Sequence, residues 1–142
     1  MTTQSANLWI TGEALPEMAI EPITRTTLAL FAGASGDHNP VHIDLDVARA
    51  AGFPDVFAHG MLVMAYLGRA VTQWAPQLQL RSYRVRFIKI TEVGDSLRCR
   101  SRVSAVENEG DGRKRIELEL SVCNAADEIK LTGMASYILQ PQ

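Results

Sequence analysis

His59-Gly60-Met61-Leu62-Val63-Met64-Ala65-Tyr66-Leu67 decides the architecture: a His-Gly pair opens onto an almost wholly apolar run. A helix that is apolar on every side belongs inside a protein, so the first two turns of this segment are expected to be surrounded, with Gly60 at the mouth. The helix is expected to run from Met61 to about Trp74, some 21 Å at about 1.5 Å per residue. Arg69, Thr72 and Gln73 mark the end that emerges, and Ala75-Pro76 closes it.

Downstream, from Leu78, the hydrophobic period changes to two. Leu80, Ser82 and Arg84 oppose Tyr83, Val85 and Phe87 in one long strand expected to reach about Ile90. After a turn at Glu92-Val93-Gly94-Asp95, Leu97, Cys99 and Val103 alternate with Arg98, Arg100 and Arg102. Asn108 to Gly112 reads as a polar hairpin loop. Ile116, Leu118, Leu120 and Val122 then alternate with Glu117, Glu119 and Ser121, and a last strand is expected from Ile129 to Leu139. Four alternating strands joined by turns predict an antiparallel sheet with one buried face. With one long apolar helix, this gives an α+β domain, residues 1–142 as one unit, in which the sheet wraps the helix.

Upstream, Leu8-Trp9-Ile10 is expected to be a short edge strand or a packing anchor. Met18 to Ile23 reads as a strand placed at an edge by Pro22. Thr24 is a suitable N-cap for a helix reaching Ala34, which Gly36 stops. Asp44 to Gly52 reads as a second short helix capped by Asp44. Between these helices lies Ser35-Gly36-Asp37-His38-Asn39-Pro40-Val41-His42. Pro40 lacks an N–H and excludes Asn39 from helical backbone, so the chain must bend between Asp37 and His42. An acid and an imidazole can then point into one pocket, beside the glycine-headed helix at Gly60.

The pattern S-G-D-x-N-P-x-H, followed by H-G at the head of an apolar helix, resembles the MaoC-like, R-specific enoyl-CoA hydratases (the hydratase 2 type). It is also similar to the β-hydroxyacyl dehydratase subunits of fatty-acid elongation. The resemblance implies a hot-dog fold that pairs through sheet edges, as a homodimer or with a different chain. It implies reversible hydration of trans-2-enoyl thioesters to (R)-3-hydroxyacyl thioesters, carried by coenzyme A or acyl-carrier protein. The matching family roles fall on Asp37 and His42 as the acid–base pair. The resemblance departs at Gly68, where some relatives carry a serine, and a wider site is expected there.

The residues support this chemistry on their own terms. The β-carbon of an enoyl thioester is electrophilic; the attacking water must lose a proton and the α-carbon must gain one. Reference pKa values of about 3.9 and about 6.5 leave an aspartate and an often-neutral imidazole near pH 7. Read alone, Asp37 is as well explained by capping a turn, and His42 by ordinary half-burial. The spacing of the whole set turns the reading toward chemistry. Gly60 is a candidate oxyanion donor, because a helix N-terminus presents free N–H groups; close helix–sheet packing is the alternative. Asn39, His59 and Met61 are candidate substrate contacts. Asn39 could instead hold the bend, His59 brace its loop, and Met61 belong to the core. His38 is expected to face solvent.

Composition bounds the rest. With 46% apolar and 21% charged residues, a globular core is expected. A net charge of −2 does not suggest a nucleic-acid surface. No apolar run reaches the roughly 18 residues of a membrane span, and the first residues lack a secretory pattern, so a cytoplasmic protein is expected. Cys99 and Cys123 read as two reduced, half-buried thiols. The chain carries no phosphate loop, flavin or nicotinamide fingerprint or metal-ligand spacing, so no cofactor and no metal are expected. Arg81, Arg84, Arg86, Lys89, Arg98, Arg100 and Arg102 are expected on a solvated sheet face, a subset being available to coenzyme A phosphates or an acidic carrier protein. Two other functions share this scaffold: a non-catalytic acyl-thioester-binding subunit, and a thioesterase.

Overall fold

A computed structural model describes residues 9–141 of the chain. Leu8 lies outside them; Trp9 lies in no strand and packs its ring 6.0 Å from that of Tyr137. The first strand, β1, spans only Met18–Ile20, at the sheet edge that Pro22 implied. Helix α1 (Arg25–Ser35) starts where Thr24 Oγ1 accepts from the Thr27 N–H. It stops at Gly36, whose φ of 76° is the left-handed conformation glycine adopts without strain. Helix α2 (Leu45–Ala50) begins at Asp44, whose carboxylate accepts from the N–H groups of Asp46 and Val47. Helix α3 (Gly60–Trp74) follows.

The other strands are β2 (Leu80–Phe87), β3 (Leu97–Gly110), β4 (Arg113–Asn124) and β5 (Ile129–Leu139). They form one antiparallel sheet in the order β1-β3-β4-β5-β2. The hairpin between β3 and β4 is tighter than Asn108–Gly112: only Asp111 and Gly112 turn, at φ 52° and 74°, as Asp-Gly does in two-residue hairpins. Strand β2 is shorter than expected. Gln77–Gln79 form a 3₁₀ turn before it. After Phe87, the N–H groups of Ile88 and Lys89 both go to Lys130 O, which ends the regular ladder.

The inner face of the sheet carries Cys99, Val103, Ile116, Leu118, Val122, Leu131 and Tyr137, all fully buried. They pack on Leu62, Val63, Leu67, Ala70 and Val71 of α3. Two tyrosines tie the layers: Tyr83 and Tyr137 donate to Met64 O and Val71 O at 2.6 and 2.8 Å. Burial raises the pKa of both phenols, so they remain donors. The thiols are fully rather than half buried, and they lie on opposite faces, Cys99 opposite Val122 and Cys123 opposite Arg98. Burial pushes the Cys99 thiol up to about 12.

The opening turns of α3 are not enclosed on every side. Leu62, Val63 and Leu67 are buried, but Met61 is 54% exposed and Ala65 is also exposed. The sheet covers one side of the helix, and among the described residues Met61 and Ala65 on the other side stay uncovered. The arginines behave as a solvated face: Arg81, Arg84, Arg86 and Arg102 are exposed, while Arg98 and Arg100 pair with Asp127 and Glu17. No helix among the described residues is long and apolar enough to cross a membrane.

Candidate active site

The corner between α1 and α2 is built by short polar side chains bonding nearby backbone. The Asp37 N–H donates to Ser35 Oγ at 3.1 Å, and the Asn39 N–H to Asp37 Oδ1 at 3.2 Å. The Val41 N–H donates to Asn39 Oδ1 at 3.3 Å, capping a 3₁₀ turn over Pro40–His42. Asn39 thus holds the bend through its oxygen. The bend turns His42 inward, to 8% exposure, and leaves Asp37 and His38 facing solvent.

His42 Nδ1 lies 2.8 Å from Phe57 O. A carbonyl only accepts, so Nδ1 carries the proton and Nε2 keeps its lone pair. His59 is 1% exposed and directs Nε2 to Asp37 O at 3.2 Å, which fixes its proton on Nε2. Its Nδ1 is buried with no hydrogen-bond partner among the described residues. The two imidazoles stack, with centroids 3.9 Å apart and planes 27° apart. Phe31 meets His59 edge-on at 4.9 Å. Burial holds His59 below the usual imidazole range, and proximity to His42 pushes the same way, while Asp37 partly opposes both. His59 thus lies buried against the face of His42.

One ligand-type atom from each of Asp37, His42 and His59 lies within 4.8 Å of the others, a spacing a cation would accept. Stacked rings, however, aim their in-plane lone pairs side by side and not at one point.

Helix α3 begins beside this cluster. His59 is its N-cap without a side-chain bond, and His59 O accepts from the N–H groups of Leu62 and Val63. Among the described residues nothing accepts from the N–H of Gly60 or Met61. A Cβ on Gly60 would stand 3.0 Å from Phe87 Cε1, so this glycine lets α3 pack closely against β2. Gly60 also opens a cavity of about 250 Å³ lined by Val63, Phe87, Ile88, Thr91 and Leu131. Asp37, His42 and Met61 do not line it, and Met61 is also not core. A Cβ at Gly68 would meet Tyr83. Gly68 lies eight residues past Gly60, about 12 Å along the helix axis.

Two residues had no place in the sequence reading of the site: Phe87, read there only as a strand residue, and Lys130. Lys130 is 3% exposed, beside the cavity, with Nζ at 2.9 Å from Ile90 O, 2.6 Å from Glu128 Oε1 and 3.2 Å from Asp95 Oδ2. Burial alone would lower its ammonium pKa, but the two carboxylates outweigh that and raise it. Glu128 is correspondingly pulled down to about 2 by its bonds to Lys130 and Lys89. Lys130 anchors Ile88–Thr91, and Thr91 O accepts from Ala58 N–H next to the carbonyl that orients His42. The signal available in sequence was a lone cation inside the apolar start of the last strand.

A family model, MaoC like domain, matches residues 10–125. The chain belongs to this family. Among relatives of this MaoC-like chain, 3-hydroxyacyl-thioester dehydratase Z of Mycobacterium tuberculosis is 29% identical over 125 residues, covering 78% of each chain. The structure of the R-hydratase PhaJ1 from Pseudomonas aeruginosa is 30% identical with a TM-score of 0.77, over 94% of this chain and 83% of that one. A chain of the ChsH1-ChsH2 complex from Mycobacterium tuberculosis is 25% identical with a TM-score of 0.78, over 92% and 98%. The sheet wrapped on α3 is the hot-dog fold, and the family is one of hydratases and dehydratases.

Proposed function

We propose that this chain interconverts trans-2-enoyl and (R)-3-hydroxyacyl thioesters. The observation that carries the proposal is the cluster of Asp37, His42 and His59, one side-chain ligand atom of each within 4.8 Å of the others, with Gly60 next in the chain after His59 at the head of α3. A water held by Asp37 and His42 adds its oxygen to the β-carbon and gives up a proton to the pair. The pair returns a proton to the α-carbon, so one water is added and the enzyme is unchanged. Negative charge gathers on the thioester oxygen during addition, where the Gly60 N–H and the positive end of α3 stabilise it. The R configuration rests on the similarity to R-hydratases. The cavity at Gly60, at about 250 Å³, suits a short acyl chain better than a bulky ring system. No step needs a metal or redox group.

The test is the enoyl-thioester absorbance after mixing the protein with crotonyl-CoA and then with a longer trans-2-enoyl-CoA. Hydration by the wild type and faster turnover of the shorter substrate are expected. Near-normal hydration by folded Asp37→Asn or His42→Ala would sink the residue assignment.

A second reading has its own observation. Met61, Phe87, Ile88 and Ile90 are each more than 40% exposed, beside the unpaired edge of β2. This is a surface for a second hot-dog chain, identical or different, and Asp37 would lie open without it. If the chain works only with a different partner, it will be inert alone and active after co-expression. Size-exclusion chromatography with the absorbance assay separates the two readings.

A further inference from the structure

We propose that His59 is the positioning residue of this site, one imidazole that fixes both Asp37 and His42 without touching substrate. The inference rests on the hydration reading and adds a residue to it. Three observations converge. The His59 Nε2–H holds the main-chain oxygen of Asp37, and so sets where that carboxylate stands. The ring backs His42 across 3.9 Å, opposing tilt of an imidazole that is also held by the bond from Nδ1 to Phe57 O and by the Phe57 ring, edge-on at 5.0 Å. The third is the unpartnered Nδ1, sealed from solvent.

That sealed nitrogen explains why the position uses a neutral imidazole. A second proton on His59 would bring a charge into a dry pocket against the face of His42 and beside the Phe31 ring, with the Asp37 carboxylate to offset it. His59 therefore stays in the Nε2–H form while His42 cycles its proton. A phenylalanine would keep the stacking and lose the tether to Asp37; a glutamine would keep a donor and lose the ring.

The test uses the full chain in three parts. In the wild type, ¹⁵N spectra of the histidine rings are expected to show His59 as the neutral Nε2–H tautomer to a pH below the ordinary imidazole midpoint. This readout needs no activity, so it stands even if no substrate is turned over. In the hydration assay, His59→Phe is expected to lower kcat roughly ten- to hundredfold with KM within about threefold, and His59→Gln to recover part of the loss. In an Asp37→Asn background, His59→Phe should cost little further, because it acts through Asp37. His59 titrating as an ordinary imidazole would overturn the proposal. So would wild-type kcat in folded His59→Phe, or a kcat loss that adds fully to that of Asp37→Asn. If His59→Phe does not fold, the tautomer and the kcat of His59→Gln decide.

Discussion

The sheet core and the corner from Ser35 to His42 hold their residues by opposite means. In the core, Val103, Leu118, Val122 and Tyr137 each touch many apolar neighbours, so position is overdetermined and burial supplies stability. In the corner, Ser35, Asp37 and Asn39 each contribute one side-chain bond to the backbone, and most of the segment is exposed. Core substitutions should therefore cost stability and spare turnover per folded molecule. Corner substitutions should cost turnover and spare stability.

The largest effect is expected from His42→Ala and Asp37→Asn, a loss of about 10²–10⁴ in kcat, the range of one acid–base group. Asparagine keeps an oxygen for the Asn39 N–H, so the turn should survive and the melting temperature should hardly move. Next is Leu118→Ala, at the fully buried centre of β4. It should cost about 2–5 kcal/mol in denaturant unfolding and leave kcat per folded molecule unchanged. A parallel fall of kcat would show that the two regions are mechanically one.

Lys130→Met tests the link between them. The buried ammonium anchors Ile88–Thr91, so its loss should lower stability and also raise KM by loosening the cavity wall. Unchanged KM would confine Lys130 to stability. The pH dependence has a definite sign. Glu128 is depressed from an ordinary 4.5 to about 2, so its stabilisation is complete above about 4.5 and lost as pH falls toward about 2. The melting temperature should fall across that window in the wild type and fall less in Lys130→Met. The smallest effect is expected from Thr24→Ala, which removes the α1 cap: about 1 kcal/mol of stability, with kcat unchanged.

Much of the fold was legible in the sequence because it rests on local rules. Period-two alternation in β3 and β4, Thr24 and Asp44 as caps and Gly36 as a stop all act within a few residues. What was not legible depends on neighbours distant in the chain. The early end of β2 follows from two N–H groups meeting Lys130 O. The exposure of Met61 follows from a sheet that covers only one side of α3. In the site, the bend and the inward turn of His42 could be read from Asn39-Pro40. The stacking of His59 on His42, the tautomers set by Phe57 O and Asp37 O, and the approach of Phe87 to Gly60 are long-range contacts that no spacing encodes.

The most direct measurement is kcat for hydration of crotonyl-CoA alongside the melting temperature, on the same preparations of wild type and Asp37→Asn. The account predicts at least a roughly hundredfold loss of kcat with the melting temperature within about 2 °C. Wild-type kcat in the folded variant, or a kcat that declines only in step with the melting temperature, would contradict it.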